Sequence, residues 1–153
     1  MHLSNKTHVV NIIPPIDVNG AGASSDVFSM ELYDHATIYL TLGVTGAACT
    51  VTLEECDNLT PTTDTAIAFK YYAETTAAGD TLGALTAATS AGFATSANDN
   101  VTYVIEIDAA DLTDGYPCLQ LEVSDPSAAT LVSAIAVLSG PKYASASTPT
   151  AIA

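Results

Sequence analysis

Arginine is absent from this sequence of 153 residues, and only three lysines stand against seventeen acidic residues. The formal net charge is therefore -14 at pH 7. Nucleic-acid binding depends on lysine and arginine contacts to phosphates, so the composition argues against a DNA- or RNA-binding protein. Sites that clamp phosphate or carboxylate substrates with guanidinium groups are excluded for the same reason.

Other shortages narrow the protein class further. Tryptophan is absent, and charged residues make up only 13% of the chain. No apolar run approaches the roughly 18 residues that cross a bilayer, so no membrane partner is expected. Pro14 and Pro15 interrupt the apolar stretch near the N-terminus, so no secretory signal is predicted and synthesis in a reducing cytosol is expected.

Three cysteines, Cys49, Cys56 and Cys118, are present. An odd number in a chain of this length is a poor disulfide framework, and their spacing matches no zinc-binding signature. Buried free thiols are the favoured interpretation, because cysteine is among the most frequently buried residue types. One bridge plus one free thiol is the alternative that the sequence leaves open.

Apolar and polar residues alternate at every second position through most of the chain, which is the pattern of half-buried β-strands. Turn sequences rich in Gly, Asn, Asp and Pro separate these runs. The pattern predicts an all-β chain folded as an antiparallel β-sandwich of jelly-roll or immunoglobulin-like type, with extended N- and C-terminal arms. The predicted strands lie near residues 27–32, 36–42, 50–54, 67–72, 101–107, 118–123 and 131–138.

The chain divides by composition into an N-terminal arm and hinge at 1–25, a sandwich domain at 26–143 and a tail at 144–153. Two adjacent prolines in the arm oppose a helix or a central strand. Whether the arm docks on its own domain or on a neighbour is left open. Within the domain, the Ala- and Thr-rich residues 73–100 predict either an extended hairpin or lobe, or a disordered surface loop. Two weak strands are predicted in this segment, near 82–85 and 92–95.

Apolar residues in the arm and the tail are the predicted partner-binding residues. An extended apolar segment can add itself to the surface of a neighbouring protein, and repeated copies on a symmetric assembly gain avidity. The predicted set is Val9, Val10, Ile12, Ile13, Ile16, Val18, Pro149 and Ile152.

No catalytic residue, metal site or cofactor is predicted, and the chain is not expected to be an enzyme. His35 stands at a predicted strand start, where a surface histidine is favoured over a general base. A catalytic pair would require Glu106 and Glu122 to approach each other across adjacent strands, but each occupies the polar side of its alternation, so solvated sheet faces are favoured. Asp99 and neighbouring Asx residues do not follow the spacing of a calcium-binding EF-hand.

Three segments resemble the capsid decoration, or cement, proteins of tailed bacteriophages: ASSDVFSM at 23–30 leading into YDH at 33–35, IDAADLTDGYP at 107–117, and LSGPKY at 138–143. The resemblance implies a structural virion protein, made in the host cytoplasm, that binds the outside of the capsid. It further implies a β-sandwich that forms trimers, or sometimes dimers, and bridges subunits of the major capsid protein. An acidic chain suits the capsid exterior, away from packaged DNA.

Two alternative functions remain open. A carbohydrate-binding or adhesin sandwich would need exposed aromatic platforms, for which the chain offers Tyr33, Tyr39, Tyr71 and Tyr72. Another virion part, such as a tail-tube or head–tail joining subunit, would form rings rather than decorate a shell.

Overall fold

The computed structural model describes residues 6–76, 80–143 and 150–152. Within these residues the protein is all-β, with one 3-10 turn at Ala109–Asp111, and it contains no helix long and apolar enough to cross a membrane. The strands are β1 (Thr7–Asp17), β2 (Ala23–Ser24), β3 (Phe28–Ser29), β4 (Tyr33–Thr45), β5 (Thr50–Cys56), β6 (Asp64–Ile67), β7 (Phe69–Glu74), β8 (Thr86–Ala88), β9 (Phe93–Ala94), β10 (Val101–Asp108), β11 (Cys118–Val123) and β12 (Thr130–Pro141).

The strands form two antiparallel sheets that pack face to face, which confirms the predicted β-sandwich. The larger sheet has the order β1-β12-β4-β10-β7-β8, and the smaller sheet has the order β2-β11-β5-β6, with β3 also paired to β11 and β9 to β5. Apolar side chains at every second strand position fill the space between the sheets. Ile38, Leu40 and Leu42 of β4 are fully buried, as are Leu53 and Leu121 of the smaller sheet. Each such side chain contributes about 1.5–3 kcal/mol on burial.

Residues 7–17, assigned to an extended arm from the sequence, form strand β1 of the larger sheet. β1 pairs along β12, and its register shifts around Pro14 and Pro15. Proline cannot donate a hydrogen bond to a neighbouring strand, so an edge position is where a strand can hold two of them. The predicted hinge continues into β2, which pairs with β11, so residues 7–25 belong to the sandwich rather than to a separate arm.

The Ala- and Thr-rich segment contributes to both sheets instead of forming a separate lobe. β8 extends the larger sheet beside β7, and β9 pairs with β5 of the smaller sheet. Phe93 of β9 is buried and stacks on Tyr71, with ring centroids 4.0 Å apart. The weak strand predicted near 92–95 is confirmed, whereas residues 82–85 form no strand, and 77–79 lie outside the described residues.

The described part of the predicted tail also packs on the sandwich. The backbone N–H of Ser29 donates to the Ala151 carbonyl at 2.7 Å, and Ala151 is buried. The remaining tail residues, 144–149 and 153, lie outside the described residues. The cysteine prediction is confirmed, since Cys49, Cys56 and Cys118 are all buried free thiols.

Candidate docking surface

An apolar row crosses the outer face of the larger sheet. Strand register places Ile135 of β12 opposite Tyr39 of β4, Tyr39 opposite Val104 of β10, and Val104 opposite Tyr72 of β7. In the adjacent row, Val9 of the edge strand lies opposite Val137. We call this set of six residues the outer apolar patch: Val9, Tyr39, Tyr72, Val104, Ile135 and Val137.

Side-chain alternation explains why these residues face outward. Ile38 and Leu40 point into the core, so Tyr39 between them must point to the opposite face of the sheet. Tyr39 and Ile135 are 44% and 42% exposed, whereas Val104 is only 5% exposed although it lies outside the core cluster. Val104 is buried because the larger side chains of Tyr39 and Tyr72 flank it in register. The patch is therefore continuous across neighbouring strands.

A charged cluster borders the patch on the same outer face. The ring of His35 contacts two carboxylates of β10, with Nε2 2.5 Å from Glu106 Oε2 and Nδ1 2.6 Å from Asp108 Oδ1. The Thr37 hydroxyl donates to the same Glu106 oxygen at 3.0 Å. Burial alone would lower the pKa of His35, but the hydrogen bonds and charges of Asp108 and Glu106 raise it. A protonated His35 offsets one of the two negative charges at the border of the patch.

The outer face of the smaller sheet has a different character. Thr52, Glu54, Gln120 and Glu122 occupy it, and the Ser24 hydroxyl donates to Glu122 at 2.7 Å. Burial raises the pKa of Glu54 and of Glu122, and the charge of Asp64 raises both further. Because this face is polar and acidic, the larger sheet carries the better candidate for protein contact.

The structure distributes the predicted partner-binding residues between core and surface. Four are buried in the chain's own core and offer no surface to a partner: Val10, Ile12, Ile13 and Val18. Val9 and Ile16 are exposed on the edge strand at 57% and 36%. Ile152 is half-buried against the core, and Pro149 lies outside the described residues. For Val9 and Ile16, the partner contact stays a prediction.

The sequence prediction of partner-binding residues included only Val9 of the patch, and it considered Tyr39 and Tyr72 for carbohydrate alone. A signal was present: residues 131–138 are apolar on both sides, and Val104 interrupts the polar side of its strand between Thr102 and Glu106. An apolar residue on the polar side of an alternating strand indicates a second buried or contacting face.

The carboxylates considered for catalysis do not converge. Glu106 lies on the larger sheet and Glu122 on the smaller one, so they are not on adjacent strands and do not form a pair. A cleft of about 300 Å³ beside the Ala109–Asp111 turn is lined by Glu31, Asp114 and Lys142, and its described lining contains no Cys, Ser or His. Among the described residues, no three His, Cys, Asp or Glu side chains are grouped to hold a metal ion.

Comparison with known proteins assigns no family to this chain. No protein-family model matches the sequence, and no curated protein matches it. One similar solved structure is the SPBc2 prophage-derived protein YomS, which is 14% identical with a TM-score of 0.49. The alignment covers 86% of this chain and 92% of that one. Likeness at this level assigns no function to this chain.

Proposed function

We propose that this chain is a structural protein of a tailed-phage virion. It binds the outside of the capsid as a homo-oligomer, a trimer, and stabilises the shell by bridging subunits of the major capsid protein. The observation that carries the proposal is the outer apolar patch on one face of the sandwich, in which Val9, Tyr39 and Ile135 are exposed. The sequence resemblance to capsid decoration proteins supports the choice of partner.

The composition of the patch suits protein contact. Contiguous apolar surface on a globular protein marks an interaction site more often than chance. Tyrosine is enriched among residues that dominate interface energies, and Tyr39 of β4 and Tyr72 of β7 provide two large side chains on either side of β10. Strands of a packed sandwich fix these side chains in advance, so little conformational entropy is lost on binding.

The charge of the chain suits an exterior position. A net charge of -14 repels packaged DNA, and the three lysines leave few cations for salt bridges to a partner. Docking through the patch therefore depends on apolar and backbone contacts. We expect attachment to change little between low and moderate salt, because screening acts mainly on exposed charges.

A carbohydrate-binding sandwich is the second candidate, because two of the four tyrosines considered for it are on the outer face. Tyr39 and Tyr72 flank Val104 there, whereas Tyr33 is fully buried and Tyr71 stacks within the interior aromatic cluster. Glycan-array hits that disappear in the Tyr39→Ser variant would favour this candidate over capsid attachment.

The test uses phage heads stripped of this chain and re-decorated with purified protein. The double variant Tyr39→Ser/Ile135→Ser removes the centre of the patch. Truncating a well-packed interface side chain costs about 1–2 kcal/mol, so we expect co-sedimentation affinity to fall roughly 30-fold or more. Electron microscopy should show wild-type protein as knobs outside the head, and light scattering should show a trimer.

Leu85→Ser is the matched control, because Leu85 is 47% exposed but lies outside the patch. It should bind heads as the wild type does. Unchanged binding by the double variant, with an unchanged circular dichroism spectrum, would show that the patch is not the docking surface. Rings or tubes without shell binding would instead indicate a tail-tube or joining subunit.

A further inference from the structure

Two of the three cysteines lie opposite each other on neighbouring strands. Cys56 is the last residue of β5, Cys118 is the first residue of β11, and the two are direct partners in the antiparallel register. Opposed residues on paired strands project to the same face of the sheet. The two thiols are therefore neighbours at one end of the smaller sheet, although 61 residues separate them in sequence.

The pair lies apart from the main core. Leu53 and Leu121 point into the core, and Cys56 and Cys118 are three positions further along each strand, which places them on the opposite face. Both are nonetheless buried, at 0% and 3% exposure. Cys49, by contrast, belongs to the main core cluster, so it faces away from the pair.

Strand geometry brings the pair within range of a disulfide. The backbone N–H of Ser124 donates to the Thr50 carbonyl, and hydrogen-bonded pairs recur every second residue, so Cys56 and Cys118 also form a hydrogen-bonded pair. Cα atoms of such a pair are about 5.5 Å apart, which is close to the commonest value across disulfides. The Cβ atoms must approach by roughly 1 Å, and the loops that adjoin both strand ends can absorb that movement.

We propose that Cys56 and Cys118 are the site of a reversible disulfide that closes when the folded protein meets an oxidising thiol–disulfide environment. The oxidant is a small disulfide such as oxidised glutathione. The Cys56 thiolate attacks it and releases one glutathione thiolate, and the Cys118 thiolate then displaces the second. Two protein thiols are oxidised to one S–S bond, and one glutathione disulfide is reduced to two thiols, which take up the two protons.

The surroundings of both thiols slow their oxidation in the folded protein. Burial raises the pKa of Cys56 to about 12, and the charges of Asp64 and Glu54 raise it as well. Burial also raises the pKa of Cys118, and a hydrogen bond with Ser29 only partly offsets this effect. Because the thiolate is the reactive form, exchange is slow and needs local opening of the strand ends.

The test treats the reduced, full-length protein with excess oxidised glutathione, from 10 °C to just below its unfolding midpoint, and then alkylates the remaining thiols. We expect the intact mass to fall by about 2 Da before alkylation and one alkylated thiol to remain, with an unchanged circular dichroism spectrum. Trypsin cleaves after Lys70, which separates Cys56 from Cys118. A glutamate-specific protease cleaves after Glu54 and Glu55, which separates Cys49 from Cys56. The linked peptides should contain Cys56 and Cys118.

Two variants identify the pair independently. Cys49→Ser should still lose about 2 Da, with no alkylatable thiol left, whereas Cys118→Ser should not form the bond. Three alkylatable thiols in the wild type across the whole temperature range would overturn the proposal. A disulfide to Cys49, or stable glutathione adducts in place of the disulfide, would also overturn the proposal. The wild-type peptide map detects either outcome even where a variant fails to fold.

Discussion

Phe93 joins the two sheets through an aromatic cluster, and its removal tests whether the Ala- and Thr-rich segment belongs to the core. Its strand β9 pairs with β5 of the smaller sheet, while its ring stacks on Tyr71 of the larger sheet at 4.0 Å and 11°. Tyr103 lies 5.0 Å away between ring centroids, and Phe69 meets it edge-on at 6.0 Å. Phe93→Ala removes the only one of these four rings that comes from the smaller sheet.

The cost follows from burial and the cavity that the ring leaves. Phe93 is 8% exposed, and replacing a buried phenylalanine with alanine costs about 3–5 kcal/mol, including the lost aromatic contacts. A chain of this length has a free energy of unfolding of roughly 8–20 kcal/mol, so the variant should still fold. At a urea dependence of about 2 kcal/mol per molar, the midpoint should fall by about 1.5–2.5 M.

Urea unfolding, followed by tyrosine fluorescence and circular dichroism, measures this change. Leu85→Ala serves as the control, because Leu85 lies in the same segment but is exposed, and its midpoint should move by less than about 0.3 M. If Phe93→Ala lowers the midpoint no more than the control does, the segment is a separate lobe and the reasoning about the bridging ring is refuted.

Two further perturbations test the charged cluster and the backbone. Asp108 and Glu106 raise the pKa of His35 in the folded state, so protonated His35 stabilises the fold. This contribution to the free energy of unfolding is full below about pH 6.5 and is lost as pH rises through the folded pKa. His35→Gln should flatten that dependence in urea unfolding at pH 5.5–8.5, by under about 1 kcal/mol because the ring is partly exposed; an identical slope in both proteins would contradict the assignment. Gly92 has φ +76° and an added Cβ would lie 2.0 Å from a β5 carbonyl, whereas Gly115 at φ +90° has open space. Gly92→Ala should therefore cost more than about 2 kcal/mol and Gly115→Ala only about 1, and equal melting temperatures would contradict this contrast.

Strands with regular alternation could be predicted from local sequence. The strand predicted at 118–123 is β11 with the same bounds, and β4, β5 and β10 extend the predicted runs by a few residues at their ends. These segments each bury one face in the core, so the apolar residues of every second position mark them. The strand predicted at 131–138 lies within β12, which has β1 and β4 as its neighbours in the larger sheet.

Elements that depend on distant partners could not be assigned locally. Pro14 and Pro15 exclude a central strand, but only the position of β12 decides whether the segment is a free arm or an edge strand. The outer apolar patch likewise depends on register, because Ile135, Tyr39 and Val104 come from three separate strands. The many alanines of segment 86–94 give only a weak strand pattern, and the burial of Ala88 and Phe93 in the core is seen only in the fold.

The position of β12 in the larger sheet has a consequence for biosynthesis. β1 is made first, yet its partner spans Thr130–Pro141, and β12 also supplies the second neighbour of β4. During translation, the apolar strand β1 therefore has no pairing partner, and one edge of β4 is unpaired. The larger sheet cannot be completed before residue 141 is synthesised. We therefore expect slow folding, with chaperones bound to the chain until β12 inserts between β1 and β4.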